Sequence, residues 1–222
     1  MLFPDNLENF GVILKGSSIV RLNEISDRFE NCFIVNNIDK NKNNEDSEYS
    51  LVAPLIKNKK IVHFVNRLKT APLLEDHYKE LGIKDVQFTK VLLDAELTKM
   101  KRIYESFGLT CHRLPESLLS YNDYFLGKGN YERKHPNTGV LSIIYATKII
   151  NPKNIWIIGL DFYEADYLYR RPWHWELENQ RNKMKKLDIP GQFVKLVKEN
   201  PNVNFNVISN ANFPLIDNLN IF

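Results

Sequence analysis

Cysteine is nearly absent: Cys32 and Cys111 are the only two in 222 residues. Two cannot build a disulfide framework or a four-cysteine metal site. Both sit in apolar surroundings, NCFIV and LTCHRL, and read as reduced core residues of a cytoplasmic protein rather than as redox centres. Histidine is also scarce. The five are scattered, with no HxH or HExxH spacing and no carboxylate-rich DxD run, so no metal site is expected. His63 lies in an apolar run and reads as a satisfied core histidine, while His112 has no carboxylate beside it in sequence. No apolar run approaches the ~18 residues that cross a bilayer. The start, MLFPDNLENF, has no basic patch followed by an apolar stretch, so no signal peptide is expected. Thirty basic against 27 acidic residues leave +3, which gives no nucleic-acid footprint by itself. Also missing are the GxGxxG fingerprint, a P-loop, an internal repeat and an interdomain linker.

What is present is an ordinary globular balance, 43% apolar and 26% charged. Apolar runs at Gly11–Lys15, Cys32–Val35, Lys60–Val65, Val86–Phe88, Thr110–Leu114, Asn154–Ile158 and Val203–Ile208 read as strands, the last of them as the final strand. Between them, Ile19–Phe29, Pro72–Leu81, Ala95–Phe107, Thr138–Ala146 and Phe193–Lys198 carry helical spacing. Asp39–Ser50 is polar and reads as an exposed connection. The alternation predicts one α/β domain over residues 1–222, with a mostly parallel sheet flanked by helices. The aromatic, charged segment 161–190 reads as a short lid-like insertion. Phe213–Ile216 and Ile221–Phe222 have three destinations open to them, the core, a neighbouring molecule or peripheral contact with a membrane, and packing on the core is the favoured one.

In open α/β sheets ligands bind beyond the carboxyl ends of the strands. Gly16, Asn36, Asn66 and Gly159 all fall at such ends. Gly16-Ser17-Ser18 could offer N–H groups and hydroxyls to a phosphate or sugar, or simply cap a helix. An asparagine at a strand end suits ribose or sugar hydroxyls, and also suits a turn. His135-Pro136-Asn137-Thr138-Gly139 opens the most apolar helix, where capping and anion binding are compatible. The run DFYEADYLYRRPWHWELE places Tyr163, Tyr167, Tyr169 and His174 beside Arg170 and Arg171. Its tyrosine hydroxyls could donate to a departing phosphate, and a histidine could take a proton from an incoming hydroxyl. A small satellite core is the plainer alternative.

Taken in order, VILKGSS, FIVNN, HFVN, HPNTGVLSIIYATKI and NIWIIGLDFY resemble the CMP-sialic-acid-dependent sialyltransferases. The bacterial glycosyltransferase family 42 gives the nearest pattern, and HPNTG resembles the second motif of family 29. The resemblance implies a Rossmann-like sheet with a lid, and metal-independent, inverting transfer from a CMP-activated sugar to a glycan hydroxyl, with no cofactor and no nucleic-acid partner. By that resemblance Ser17 falls at a nucleotide-contacting position and Asn36 and Asn66 at ligand-contacting ones. Thr138 and Gly139 match a hydroxyl residue near the donor and the glycine after it. Tyr163 and Tyr169, with Tyr167 close behind, match two tyrosines on the leaving phosphate. His135 stands where the family has an arginine, and His174 is the histidine downstream of Tyr163 that could serve as the base. Two other classes stay in play. A metal-dependent phosphotransfer enzyme would lean on Asp161, Glu164 and Asp166, and a sugar- or nucleotide-binding protein of the same fold would lack transferase activity.

Overall fold

The computed structural model describes residues 2–36, 48–65, 75–88, 94–118, 137–162, 182 and 188–222. Eight strands form one sheet: β1 (Asn9–Ile13), β2 (Asn31–Val35), β3 (Lys60–Val65), β4 (Asp85–Phe88), β5 (Thr110–His112), β6 (Asn154–Ile158), β7 (Asn204–Ile208) and β8 (Leu219–Ile221). Their spatial order is β5-β4-β3-β2-β1-β6-β7-β8, and every neighbouring pair is parallel. A parallel pair needs a crossover between its strands, and the crossovers cover both faces. Period-2 alternation then divides each strand between two cores. Phe10, Val12, Phe33, Phe64, Ile155 and Phe205 join one cluster, which includes residues of α4 (Thr138–Tyr145) and α5 (Ile189–Lys198). Ile13, Cys32, Ile34, Ile61, Ile158 and Ile208 join the other, with residues of α1 (Glu48–Ile56), α2 (Glu75–Glu80) and α3 (Asp94–Ser106). Fully buried Phe33 meets Phe10 and Tyr145 edge-on, with ring centroids at 5.0 and 5.4 Å. Phe33→Ala would therefore cost about 3–5 kcal/mol.

The α/β architecture is the one expected, and four local readings change. The stretch after β1 is a 3-10 helix, Ser17–Glu24, followed by a 3-10 turn, Ser26–Arg28. Its buried residues Ile19, Leu22 and Ile25 recur every third position, which is the 3-10 period rather than the α one. The polar connection ends earlier than expected, because Glu48–Ile56 is a helix that buries Val52 and Ile56. The last helix begins at Ile189 rather than Phe193, with Pro190 in its first turn, where a missing N–H costs nothing. β7 is not the final strand: Leu219–Ile221 adds β8 at the sheet edge, too short and too interrupted by polar residues to stand out in sequence.

Phe213 packs on the core as expected, at 5.5 Å from Phe162 and 5.7 Å from Phe193. Leu215, Ile221 and Phe222 stay exposed. Both cysteines are free; burial pushes the Cys32 thiol up to about 12 and the Cys111 thiol up to about 11, so both are inert. Of the expected insertion 161–190, Asp161, Phe162 and Ile189 are buried in the fold. Residues 163–181 and 183–187 lie outside the described residues. Among the described residues no helix is long and apolar enough to cross a membrane.

Candidate functional site

The chain leaves β1 toward β2 and leaves β6 toward β7, in opposite directions along the sheet. This reversal of strand order is where doubly wound folds open a crevice at their carboxyl edge. Here the two strands stay paired beyond their ends. Leu14 N–H donates to the Ile158 carbonyl at 2.8 Å and Gly16 N–H to the Gly159 carbonyl at 2.9 Å. Gly159 takes the left-handed conformation, φ +78°, and a Cβ there would strike the Leu14 carbonyl. A Cβ at Gly16 would strike the Asp161 carboxylate and the Gly159 carbonyl. Two glycines are therefore needed for two loops to cross this closely.

Asp161 fills the space they leave. Its side chain is 2% exposed. Oδ2 accepts from Ser18 N–H at 2.8 Å and from Ser17 Oγ at 3.2 Å. Oδ1 accepts from Ser18 Oγ at 2.7 Å, Ser209 Oγ at 3.0 Å and Asn210 N–H at 3.0 Å. An anion at the amino end of a helix is held by the free N–H groups and the dipole there. In this fold that position after β1 is taken by the protein's own carboxylate. The Gly16-Ser17-Ser18 turn, read as offering N–H groups and hydroxyls to a phosphate or sugar or as capping a helix, turns Ser18 N–H and both serine hydroxyls to Asp161. Ser18 is 1% exposed, its hydroxyl faces Asp161 and the Ile208 carbonyl and accepts from Gly159 N–H, so it belongs to the fold. Ser17 is partly exposed, and its Oγ also accepts from Asn210 Nδ2 at 2.9 Å.

The second helix amino end at this edge is different. Asn137 caps α4 in an extended conformation: its Oδ1 accepts from Val140 N–H at 2.8 Å and its carbonyl from Leu141 N–H at 2.9 Å. That leaves the N–H groups of Thr138 and Gly139 without a partner among the described residues, both in partly exposed positions. A Cβ on Gly139 would lie 3.4 Å from Leu14 Cδ2, which places this helix end beside the end of β1.

Next along the edge, Asn36 follows β2 directly, in the left-handed region at φ 59°. Its N–H donates to the Phe64 carbonyl at 2.8 Å, and its carbonyl lies 2.7 Å from His63 Nε2. Its Oδ1 is buried with no hydrogen-bond partner among the described residues. His63 is fully buried with both ring nitrogens bonded, the satisfied core histidine that was expected. Burial, with a smaller push from the Lys15 charge, lowers its pKa to about 4 against the opposing pull of the Asn36 carbonyl, so the ring is neutral. His112, which has no carboxylate near it in sequence, meets Asp85 Oδ1 at 2.7 Å across β4 and β5.

The carboxyl edge thus gathers Gly16, Ser17, Ser18, Asn36, Asn137, Thr138 and Gly139, seven of the anticipated site residues. Asn66, His135, Tyr163, Tyr167, Tyr169 and His174 lie outside the described residues. Asp161 was considered only as a metal carboxylate. Its signal was position, a lone acid two residues past Gly159 at the end of the most apolar strand. Asn210, just past β7, gave the same kind of signal. Among the described residues no group of three metal-ligating side chains occurs.

None of the known family models and none of the curated proteins matches the sequence. Among solved structures the fold is similar to a crystal structure of a variant of the sialyltransferase CST-II in complex with CMP. The match has a TM-score of 0.54 at 16% identity and covers 90% of this chain and 80% of that one.

Proposed function

We propose that this protein is a glycosyltransferase that transfers a sugar of the sialic acid class from a CMP-activated donor to a glycan hydroxyl, with inversion and without a metal. The observation that carries the reading is the uneven treatment of two helix amino ends at one sheet edge. The end after β1 is filled by Asp161, and at the end of α4 two N–H groups have no partner among the described residues. An anionic donor is thereby directed to Thr138 and Gly139. The fold shared with a CMP-bound sialyltransferase supports the donor class. The roles follow the chemistry. Asn36 and Asn66 receive the nucleoside, with Ser17 at its rim. Asn137, Thr138, Gly139 and His135 hold the donor's anionic end. Tyr163 and Tyr169, or Tyr167, donate to the phosphate as the glycosidic C–O bond breaks and its electron pair passes to the phosphate oxygen. The acceptor oxygen bonds to the same carbon from the opposite face, and His174 takes its proton.

The metal-dependent phosphotransfer reading loses ground on donor chemistry, because both Asp161 oxygens are already occupied by N–H and O–H donors. A thermal-shift panel tests the proposal. CMP and CDP should stabilise the protein, by about 2.7 kcal/mol at 100 times the dissociation constant, with EDTA present. UDP, GDP and ATP should not. Equal shifts across the panel, or a CMP shift that vanishes with EDTA, would sink it. On the catalytic step, His174→Ala should lower turnover by roughly 10²–10⁴-fold with donor binding retained. Full turnover in that variant would pass the role of base to His135.

A further inference from the structure

Outside the Asp161 knot, buried Tyr78 and His63 form a hydrogen-bonded chain that ends on Asn36. A carbonyl oxygen cannot donate, so the 2.7 Å contact between His63 Nε2 and the Asn36 carbonyl places the ring proton on Nε2. His63 Nδ1 is then an acceptor, and the Tyr78 hydroxyl at 2.7 Å donates to it. Burial holds the ring neutral, and it raises the Tyr78 pKa well above the ordinary phenol range, so neither group of this chain is ionised near neutral pH. Tyr78, 1% exposed on α2, thus reaches Asn36 through a fully buried imidazole on β3.

Asn36 has both backbone polar groups tied, the N–H to Phe64 and the carbonyl to His63. It carries two unfavourable features at once. Its backbone is left-handed, at φ 59°, and its buried Oδ1 has no partner among the described residues. Strain and an orphaned acceptor in one residue at a binding edge call for a functional reason. We propose that His63 and Tyr78 are positioning residues that hold Asn36 so that its amide oxygen takes a hydrogen bond from a ribose hydroxyl of the bound nucleotide. This rests on the nucleotide-sugar reading above and assigns the residues behind it. Asn36 follows β2, the strand next to β1, where dinucleotide-binding doubly wound folds set an acidic side chain on ribose.

Discrimination between CMP and 2′-deoxy-CMP reads the proposal, because a residue that merely supports the fold would weaken both nucleotides alike. Calorimetric titration of the wild-type protein should favour CMP about three- to tenfold. Asn36→Ala, His63→Leu and Tyr78→Phe should each lose most of that preference by weakening CMP alone. His63→Gln, whose amide can donate to the Asn36 carbonyl and accept from Tyr78, should restore part of it. Circular dichroism confirms that each variant is folded, and Tyr78→Phe, the smallest change, serves where His63→Leu is not. Preference kept in folded His63→Leu or Tyr78→Phe overturns the positioning role and leaves the transferase reading intact. Should wild type bind no cytidine nucleotide, the transferase reading falls, and UMP, AMP and GMP with their deoxy forms decide the rest. A ribose preference that depends on His63 for any of them sustains the role, and none for all of them ends it.

Discussion

The carboxyl edge of this sheet has two halves built on opposite principles. On the β6–β7 side both carboxylate oxygens of Asp161 are matched, by Ser17, Ser18, Ser209 and Asn210. On the β2–β1 side a buried Asn36 oxygen and the first N–H groups of α4 have no partner among the described residues. One half uses the donors left over where the chain turns to lock two loops together, and in the other half an amide oxygen and two helix N–H groups have no partner among the described residues. A phosphate-binding turn after β1 is what a doubly wound fold suggests, so the sealed half also redirects where an anion can sit.

Breaking the sealed half should have the largest effect. Asp161→Ala strands the N–H groups of Ser18 and Asn210, while the Ser18 and Ser209 hydroxyls keep the Ile208 and Leu160 carbonyls as acceptors. An orphaned buried donor costs about 1–3 kcal/mol, so a total loss of about 2–6 kcal/mol is expected by urea denaturation. The vacated helix end should also become an anion site, with inorganic phosphate raising the stability of Asp161→Ala more than that of the wild type. A variant as stable as the parent would mean that the knot is decorative and that the contrast between the halves is false.

The open half should respond to pH through His63. Its folded pKa is depressed, to about 4, below the ordinary 6.5. Between those values the unfolded chain binds a proton that the folded chain refuses, so stability rises with pH through the window. The imidazole's contribution is complete above about pH 6.5 and is lost as pH falls toward 4, an effect on the order of 3 kcal/mol. Urea midpoints at pH 7, 5.5 and 4.5 measure it. His63→Gln should remove most of the slope, and an unchanged slope would move the titration to another group.

How far the sequence alone reaches follows the same divide. The strand that carries Asn36 in the open half was legible, because a strand covered on both faces is apolar, as Cys32–Val35 is, and because Asn36 ends that run. Asn137 as a helix cap was legible from local chemistry, and the bond to Val140 N–H is that cap. The sealed half was not, since its partners lie 143 residues apart for Ser18 and 49 for Asn210. No local pattern announces that a carboxylate will be enclosed by two other loops. The same distance hid the His63–Tyr78 contact, where a strand and a helix meet only after folding. The type of the first helix was hidden for a different reason: three apolar residues at a spacing of three fit a 3-10 turn and the start of an α-helix equally well.

The smallest effect on stability should come from making the open half resemble the sealed one. Asn137→Asp keeps a side-chain oxygen for Val140 N–H, so the cap survives. The added negative charge sits at the amino end of α4, where the helix dipole favours it, and stability should hold or rise by about 0.3–1 kcal/mol. Binding should move the other way. A carboxylate at that position competes with an anionic ligand for the N–H groups of Thr138 and Gly139, and it repels the ligand at short range. At an effective dielectric near 20, one charge within several ångströms is worth enough to weaken CMP by roughly tenfold or more. Thermal unfolding and a CMP titration on the same preparation give both numbers. Opposed signs, a protein no less stable that binds CMP less well, would locate the anion at α4. If CMP binds Asn137→Asp as tightly as wild type, the open end of α4 is not where the phosphate or the sugar carboxylate rests, and the division of the edge into a sealed and a receiving half would have to be redrawn around Asn36 alone.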